Sequence, residues 1–268
     1  EPGIAGWRIL LNGGFASVVT DANGMYTFTR VTPGTYTVSE EQQVSWVQTY
    51  PSTGTHSVSV DFNNDYAGFD FGNYQYSIIH GTKFHDTNNN GVRDIDEQGL
   101  AGWLIQLSGP TSDSLVTDEK GTYQFMNVVP GNYVVNEVQR SGWQQTAPAT
   151  GTHTFTVTSG NFVDNIDFGN IPLGIVTGTK FEDLNGNAVR DSGEAGLPGW
   201  TIHLVGPTTR DTVTDDKGNY SFSYLLPGNY TISEEQQTGW TQTLPQSPDV
   251  YNRTVELGTV HNFLDFGN

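Results

Sequence analysis

Thr117-Asp-Glu-Lys-Gly-Thr-Tyr-Gln-Phe125 is the stretch that decides the fold, because its pattern Thr-Asp-x-x-Gly-x-Tyr-x-Phe occurs three times in the chain. The other two copies are Thr20–Phe28 and Thr214–Phe222. In each copy the Asp and the Gly are turn formers, and the Tyr and Phe that follow alternate with polar residues, as in a strand with one buried face. The chain is therefore predicted to repeat a β unit.

Other landmarks recur with the same period. Trp7, Trp103 and Trp200 are 96 and 97 residues apart, and Trp46, Trp143 and Trp240 are 97 and 97 apart. The motif Asp-Phe-Gly-Asn ends each unit, at Asp70–Asn73, Asp167–Asn170 and Asp265–Asn268. These spacings predict three repeats, at residues 1–73, 74–170 and 171–268. Repeat 1 lacks its first strand and most of the loop after it, and short linkers are expected at Tyr74–Ser77 and Ile171–Gly174.

Each unit is predicted to be all-β. Segments of alternating apolar and polar residues are separated by turn residues, and no segment has the 3.6-residue period of a helix. About seven short strands in about 97 residues are typical of an immunoglobulin-like β-sandwich. A unit of this size can bury its own core, so tandem sandwich repeats are expected rather than a solenoid.

The amino-acid composition of the chain indicates which classes of partner it can bind. The net charge is −18, which disfavours nucleic acid and anionic membranes and favours divalent cations. No stretch approaches the roughly 20 apolar residues of a membrane span, so no membrane insertion is expected. The chain has no cysteine. It begins at Glu1 with neither an initiator Met nor a signal peptide, and we interpret it as a piece of a longer protein.

An acidic loop in repeat 2 is predicted to bind calcium. Counted from Asp86, its oxygen-bearing side chains fall at positions 1, 3, 5, 9 and 12, with Gly91 at position 6. This is the ligand spacing of an EF-hand loop without the flanking helices. The alternative is a polar loop of turn formers that binds no metal. This alternative is less favoured because a second loop, in repeat 3, has the same ligand spacing. The predicted ligands are Asp86, Asn88, Asn90, the carbonyl of Val92, Asp94 and Glu97.

Repeat 3 has the same loop with one departure. Its predicted ligands are Asp183, Asn185, Asn187, the carbonyl of Val189, Asp191 and Glu194. Ala188 replaces the glycine at position 6, which is expected to weaken the site or alter its turn. Repeat 1 keeps only Glu1 of this loop. All ligands are oxygens, which favours Ca²⁺ over zinc, and an all-protein cage suits magnesium poorly.

The chain resembles a known family in several blocks. The blocks are Gly81-Thr-Lys-Phe-x-Asp86, the calcium loop, Leu100-Ala-Gly-Trp103, the Thr117–Phe125 motif and Pro130-Gly-Asn-Tyr133. Together they are similar to the SdrD B-like repeat, which is related to the B-type repeats of collagen adhesins and pilins. The resemblance implies a prealbumin-like or inverse immunoglobulin sandwich and an extracellular stalk stiffened by calcium.

The related B-type repeats often contain a Lys–Asn isopeptide bond promoted by a buried acid, and strand parity allows a test for it. Tyr133, Val135 and Glu137 share one face of a strand, so Glu137 is predicted to point into the core. Asn170 shares a face with Phe168 in the last strand. With a lysine of the first strand, the candidate sets are Lys83, Glu137 and Asn170, and Lys180, Glu234 and Asn268.

The lysines are the doubtful members of these sets. If Phe84 and Phe181 face the core, parity turns Lys83 and Lys180 outward, and the alternative is a surface lysine with a glutamate bonded to the backbone. Repeat 1 keeps Glu40 and Asn73 but has no equivalent lysine segment. Its partner strand is expected to be absent or to come from another chain.

The leading functional hypothesis is a calcium-stabilised structural stalk or filament segment of an extracellular surface adhesin or fibre, and not an enzyme. Its expected partners are calcium ions, neighbouring repeats of the same or another chain, and a host or matrix protein or glycan. The alternative is a carbohydrate- or protein-binding accessory module of a secreted enzyme, which an exposed aromatic platform in one repeat would favour. Because the tryptophans recur in every repeat, they are predicted to serve packing.

Overall fold

The computed structural model describes all 268 residues and contains 23 strands. Repeat 1 forms two separate sheets. One has the order β2-β1-β3-β5 and the other pairs β4 with β6. The strands are β1 (Arg8–Leu11), β2 (Ala16–Val19), β3 (Gly34–Glu40), β4 (Trp46–Tyr50), β5 (Thr55–Val60) and β6 (Gly72–Gln75), with a short 3₁₀ turn at Asn12–Gly14.

Repeat 2 is a complete sandwich of two sheets. One sheet has the order β13-β11-β8-β9, and the other has the order β10-β7-β15-β12, with β14 also paired to β7. The strands are β7 (Ser77–His85), β8 (Leu104–Ser108), β9 (Asp113–Val116), β10 (Thr122–Val128), β11 (Gly131–Glu137), β12 (Trp143–Ala147), β13 (Thr152–Val157), β14 (Phe162–Val163) and β15 (Phe168–Pro172).

Repeat 3 follows the same plan. One sheet has the order β18-β17-β20-β21, and in the other β16 lies between β19 and β22 and also pairs with β23. The strands are β16 (Gly174–Phe181), β17 (Thr201–Val205), β18 (Arg210–Val213), β19 (Asn219–Leu225), β20 (Gly228–Glu234), β21 (Tyr251–Val255), β22 (Val260–His261) and β23 (Phe266–Gly267). The predicted all-β, immunoglobulin-like architecture is confirmed.

The first and last strands of repeat 2 are neighbours and run parallel. β15 pairs with β7 at Phe168↔Lys83, Gly169↔Phe84 and Asn170↔His85. In repeat 3, β23 pairs with β16 in the same sense, at Lys180↔Phe266. The lysine and the asparagine predicted to react therefore lie on adjacent strands.

Alternating side chains of both sheets form the cores. In repeat 2 the inward residues of β8, β10 and β11 meet those of β7 and β15 in one cluster, which includes Ile105, Phe125 and Phe168. Repeat 3 has an equivalent cluster of the same size, with 11 buried residues in each. Repeat 1 has a cluster of only four, namely Trp7, Ile9, Leu11 and Val38. Its core is therefore incomplete.

The tryptophans are paired inside the repeats. Trp7 and Trp46, Trp103 and Trp143, and Trp200 and Trp240 meet edge to face, with ring centroids 5.2, 5.6 and 5.7 Å apart. One ring of each pair is buried. Such pairs stabilise a fold beyond the area that they bury. The prediction that these residues serve packing is confirmed.

The expected linkers lie mostly within strands. β6 continues past Asn73 and pairs Tyr74 and Gln75 with Val47 and Trp46, and β7 begins two residues later at Ser77. The Gly160 amide donates to the Gln75 carbonyl at 2.9 Å, and the Gly258 amide donates to the Pro172 carbonyl at 3.1 Å. The last strand of one repeat is thus hydrogen-bonded to a loop of the next at both junctions.

Candidate cross-link and calcium sites

Lys83 is completely buried, and so is the phenyl ring beside it. Lys83 is 0% exposed and Phe84 is 1% exposed. The alternative prediction, that strand parity turns Lys83 towards solvent if Phe84 faces the core, is therefore wrong, because β7 is covered on both faces at this point. Lys83 points towards Trp103 and Glu137, whereas Phe84 lies over Gly169, where an added Cβ would come within 2.5 Å of the ring. The same burial holds for Lys180 and Phe181.

The lysine, glutamate and asparagine of repeat 2 form a closed triad. Lys83 Nζ donates to Asn170 Oδ1 at 2.5 Å and lies 3.0 Å from Glu137 Oε2. Asn170 Nδ2 donates to Glu137 Oε1 at 2.8 Å. Asn170 is 0% exposed and Glu137 is 6% exposed, so strand parity places Glu137 correctly. Each of the three side chains contacts the other two.

Repeat 3 has the two lysine contacts of this triad. Lys180 Nζ donates to Asn268 Oδ1 and lies 2.8 Å from Glu234 Oε2. The side chains of Lys180 and Glu234 are 0% and 1% exposed. In both repeats the lysine thus contacts the glutamate and the asparagine, although Asn268 Nδ2, unlike Asn170 Nδ2, is buried without a hydrogen-bond partner.

Burial changes the protonation of these groups. Desolvation lowers the pKa of Lys83 to about 8, although the nearby Glu137 carboxylate acts in the opposite direction. Burial also lowers the pKa of Lys180 and raises the pKa of Glu234. A low dielectric disfavours both charged forms, so the neutral amine and the neutral acid become accessible. A neutral amine beside a carboxamide is a nucleophile beside an electrophile.

A tryptophan ring lies over each buried lysine, and the sequence did not identify this contact. Lys83 Nζ lies 4.4 Å from the ring centre of Trp103, and Lys180 Nζ lies 4.2 Å from that of Trp200. The Phe168 carbonyl accepts a further hydrogen bond from Lys83 Nζ at 3.1 Å. The recurrence of Trp immediately before β8 and β17 is the available signal, but sequence spacing does not show that the ring faces a lysine.

The acidic loop of repeat 2 is curled by its own hydrogen bonds. Asp86 accepts the amides of Asn90 and Gly91 at 3.0 and 2.8 Å. Asn88 and Asn90 both donate to Asp94 Oδ2, at 2.7 and 2.9 Å. Four of the predicted ligands, at positions 1, 3, 5 and 9, are therefore drawn together.

Glu97 behaves differently. Its Oε1 accepts the Thr87 amide at 2.7 Å, and its Oε2 accepts the Asp94 amide at 3.1 Å. This carboxylate ties the two ends of the loop together. The chain has no group of three or more His, Asp or Glu side chains placed to hold a metal ion. Positions 1 to 9 carry hard oxygens, the donor type that calcium prefers. To hold an ion, Asn88 and Asn90 would have to turn their Oδ1 atoms inward in place of Nδ2, and Glu97 would have to give up its backbone contacts.

The loop of repeat 3 has the same contacts. Asp183 accepts the amides of Asn187 and Ala188 at 3.1 and 2.8 Å, and Asn185 and Asn187 donate to Asp191. Burial favours the neutral acid, but hydrogen bonds outweigh it and hold the pKa of Asp183 below its usual value. Ala188 has φ of 59°, close to the 72° of Gly91. The turn is therefore kept, in a left-handed conformation that costs an alanine about 1 kcal/mol.

Asp118 and Asp215 are turn formers, as expected. Asp118 Oδ1 accepts the amides of Lys120 and Thr122 at 2.9 and 2.8 Å, and Asp215 has the equivalent contacts with Lys217 and Asn219. A hydrogen bond from the Thr122 hydroxyl, together with the amides, lowers the pKa of Asp118, and the Asn219 and Lys217 amides lower the pKa of Asp215. The helices of the chain include none with the length and apolarity to cross a membrane.

Repeats 2 and 3 are tandem sandwiches in which a buried lysine of the first strand contacts an asparagine at the end of the last strand. A family model for the SdrD B-like domain matches residues 78–166 and 176–256, which is more than half of the chain. The chain belongs to the SdrD B-like family. This confirms the resemblance noted in the sequence and the predicted location at the cell surface or outside the cell.

Two curated relatives are much longer than this chain. Serine-aspartate repeat-containing protein F of Staphylococcus epidermidis is 30% identical over 278 residues, which cover 92% of this chain and 16% of the relative. Serine-aspartate repeat-containing protein D of Staphylococcus aureus (strain Newman) is 30% identical over 277 residues, covering 91% and 21%. The chain therefore spans about a fifth or less of each relative.

Among solved structures, the minor pilin GBS52 of Streptococcus agalactiae is similar to 72% of this chain over 96% of its own length. The sequence identity is 14% and the TM-score is 0.32. A streptococcal ancillary pilin is similar to 94% of this chain over 81% of its own length, with 16% identity and a TM-score of 0.35.

Proposed function

We propose that the chain is a structural stalk segment of an extracellular surface adhesin or fibre, in which each complete repeat is stapled by an isopeptide bond between its first and last strands. The observation that carries the proposal is the buried contact of Lys83 with Glu137 and Asn170, repeated at Lys180, Glu234 and Asn268. Family membership supports the surface location, and the absence of cysteine leaves disulfides out of the stapling.

The reaction follows from the positions of the atoms. The neutral Nζ of Lys83 attacks Cγ of Asn170, and a C–N bond forms. Glu137 accepts a proton from Nζ and passes a proton to Nδ2. The Cγ–Nδ2 bond breaks and ammonia leaves, so that no oxidant or cofactor is consumed.

The bond would stabilise the repeat by restricting its unfolded state. Lys83 and Asn170 are 87 residues apart. By the chain-entropy relation used for disulfides, a link that closes a loop of this size contributes roughly 4 to 5 kcal/mol. A stalk gains most from such a link, because the link joins the two strands at which the chain enters and leaves the repeat.

Calcium is the second stabilising element that we propose. Asp86, Asn88, Asn90 and Asp94 of repeat 2, and their counterparts Asp183, Asn185, Asn187 and Asp191, would supply the side-chain oxygens. The carbonyls of Val92 and Val189, with Glu97 and Glu194, would complete each shell. A bound ion would neutralise part of the net charge of −18 and fix the loop between the first strand and β8 or β17.

Intact-protein mass spectrometry tests the cross-links directly. The purified chain is expected to be lighter than its sequence mass by two ammonia molecules, and peptide mapping is expected to place the bonds at Lys83–Asn170 and Lys180–Asn268. An unmodified mass, in a sample whose folding is verified by circular dichroism, would reject the stapled stalk.

The alternative of a carbohydrate-binding module gains no support from the tryptophans. That hypothesis requires an aromatic platform confined to one repeat, whereas the Trp pairs recur in all three. We therefore favour a structural role over a catalytic or sugar-binding one.

A further inference from the structure

An open groove runs along the outer face of repeat 3. It encloses a volume of about 610 Å³ and is lined mostly by polar residues. Its floor consists of Thr177 and Thr179 of β16 with Asn219 and Ser221 of β19, and one side is the segment 262–265 between β22 and β23. No residue of the cross-link or of the acidic loop lines this groove, so neither proposed stabilising element uses it.

In repeat 2 an imidazole covers the corresponding floor. His80 occupies the position in β7 that Thr177 occupies in β16. Its Nδ1 atom is 2.7 Å from Asp164 Oδ1, and its ring stacks on Phe162 with ring centroids 6.2 Å apart. Thr177 is shorter and donates its hydroxyl to Asn262 Oδ1 at 2.9 Å. The change from His to Thr therefore leaves room above the strand in repeat 3.

The next part of the floor also differs between the two repeats. In repeat 2, Arg93 donates to the Thr82 hydroxyl at 3.0 Å. The equivalent hydroxyl in repeat 3, that of Thr179, donates instead to Asn219 Oδ1 at 3.2 Å. The floor of the groove is thus hydrogen-bonded within itself, and two contacts made by long side chains in repeat 2 are replaced by contacts between short ones.

An exposed phenyl ring stands at one side of the groove. Phe263 is 85% exposed and has φ of 60°. The equivalent residues are Asn165 in repeat 2 and Gly68 in repeat 1, with φ of 61° and 85°. Glycine and asparagine adopt this left-handed conformation readily, whereas it is unfavourable for a bulky aromatic residue. Neither the turn nor packing within the chain accounts for this phenylalanine, which indicates a contact with another molecule.

Polar atoms beside the ring are available to a ligand. Asn262 Oδ1 accepts the Thr177 hydroxyl, and Asp265 Oδ1 accepts the Thr179 amide at 2.7 Å. These bonds fix both side chains and leave Asn262 Nδ2 and Asp265 Oδ2 without a partner in the chain. A hydrogen-bond donor and an acceptor therefore stand next to the Phe263 ring.

A saccharide meets the requirements of this groove. Its ring carbons present an apolar face that can stack on a phenyl ring, and its hydroxyls both donate and accept hydrogen bonds. The two carboxylates of the groove, Asp215 and Asp265, and the net charge of −18 disfavour an anionic sugar. A purely apolar ligand would leave the polar atoms of the groove unpaired. A neutral saccharide fits the groove best.

We propose that the groove of repeat 3 binds a neutral saccharide, which stacks on Phe263 and forms hydrogen bonds with Asn262 and Asp265. The site is an addition to the stalk function and requires neither the cross-links nor calcium. It gives a single repeat the exposed aromatic platform that the tryptophans, which recur in all three repeats, do not provide.

A titration of the isotope-labelled full chain, followed by NMR of its amide groups, tests the site. The probes are three neutral oligosaccharides, namely maltohexaose, cellohexaose and an N-acetylglucosamine tetramer. At least one of them is expected to shift the amide signals of Thr177, Asn219 and Phe263. The absence of shifts with all three at millimolar concentration, the range of weak binding, would overturn the proposal. Shifts centred on repeat 1 or repeat 2 would overturn the assignment to this groove.

Two variants copy the groove of repeat 2 and are therefore expected to fold. Phe263→Asn removes the ring and relieves the backbone, and Thr177→His places an imidazole over the floor. Each is expected to weaken binding roughly tenfold or more, with no loss of thermal stability. The matched control is Phe162→Asn, which removes an exposed phenyl ring from repeat 2 and should leave the affinity unchanged. Undiminished affinity in Phe263→Asn would overturn the role of the ring.

Two further measurements separate this site from other uses of the same surface. A heparin-derived oligosaccharide is expected not to bind, and binding as strong as that of a neutral sugar would overturn the preference set by Asp215 and Asp265. A dilution series without sugar tests self-association. Signals of Phe263 that shift with protein concentration would identify a second copy of the chain as the occupant and would overturn the saccharide. None of these results changes the mass loss that tests the stapled stalk.

Discussion

Lys83 and Glu137 lie on opposite sheets of repeat 2, yet Lys83 Nζ is 3.0 Å from Glu137 Oε2 and both side chains are completely shielded from solvent. Burial of two ionisable groups is unfavourable unless they are paired, and a buried ion pair often stabilises a fold no more than an apolar pair would. The proposed cross-link would give this buried pair a chemical role.

We expect Glu137→Ala to prevent the bond in repeat 2 and leave the bond in repeat 3. The variant lacks the group that would move the proton from Nζ to the leaving amide. Its intact mass should show the loss of one ammonia instead of two. Glu234→Ala is the matched variant and should leave only the Lys83–Asn170 bond. Two lost ammonia molecules in either variant would contradict the role given to the glutamates.

The stability of an unlinked variant should depend on pH. In Asn170→Ala, Lys83 stays free, and its pKa in the folded chain of about 8 is below the ordinary 10.5. Between these values the unfolded chain binds the proton more readily, so the free energy of unfolding should rise with pH, by about 1.4 kcal/mol per unit at most. Below pH 8 both states are protonated, and this contribution is absent.

Denaturant unfolding between pH 7.5 and 9.5, in roughly half-unit steps, measures this slope below the usual range of tyrosine titration. The control is Lys83→Met in the same Asn170→Ala background, which should remove the dependence. An equal slope in the two variants would show that Lys83 is not the group responsible.

Removal of calcium should lower the thermal stability of the chain. A ligand that binds only the folded state at a hundred times its dissociation constant contributes about 2.7 kcal/mol, and EDTA would remove this contribution. The measurement is calorimetry with calcium and with EDTA. The double variant Asp86→Ala and Asp183→Ala should melt at one temperature under both conditions. An unchanged melting curve of the natural chain would count against the metal sites.

The loop of repeat 3 should improve when its strained residue is replaced. Ala188 has φ of 59°, so Ala188→Gly should stabilise repeat 3 by about 1 kcal/mol and raise its affinity for calcium. The matched change Gly91→Ala should destabilise repeat 2 by a similar or larger amount, because the new Cβ would also lie 3.3 Å from the Thr146 carbonyl oxygen. Chemical unfolding and calcium titration of the two variants test the pair.

The repeats and the inward glutamate could be predicted from sequence, but the lysine could not. The period of the tryptophans predicts three units, and the alternation of Tyr133, Val135 and Glu137 predicts an inward carboxylate, since both depend on local pattern. Parity also predicts that Lys83 and Phe84 face opposite sides. It does not predict that both sides are covered, because the Phe84 ring packs against Gly169, which is distant in sequence and leaves room for the ring.

The acidic loops of repeats 2 and 3 show another limit of prediction from sequence. Their spacing predicts which side chains lie close together, and Asn88 and Asn90 do contact Asp94, but through their Nδ2 groups rather than their oxygens. The spacing does not predict that Glu97 accepts two backbone amides, because it shows which residues carry oxygens but not which donor each oxygen takes. These amides use the same lone pairs that a metal ion would need.

The parallel pairing of β7 with β15 has a mechanical consequence. When the two ends of the repeat are pulled apart, parallel neighbours must slide along each other, so their hydrogen bonds resist together rather than opening one by one from an edge. A bond between Lys83 and Asn170 would prevent even this sliding. Tension would then cross the repeat along its two end strands, and the loops and the other sheet would remain unstretched.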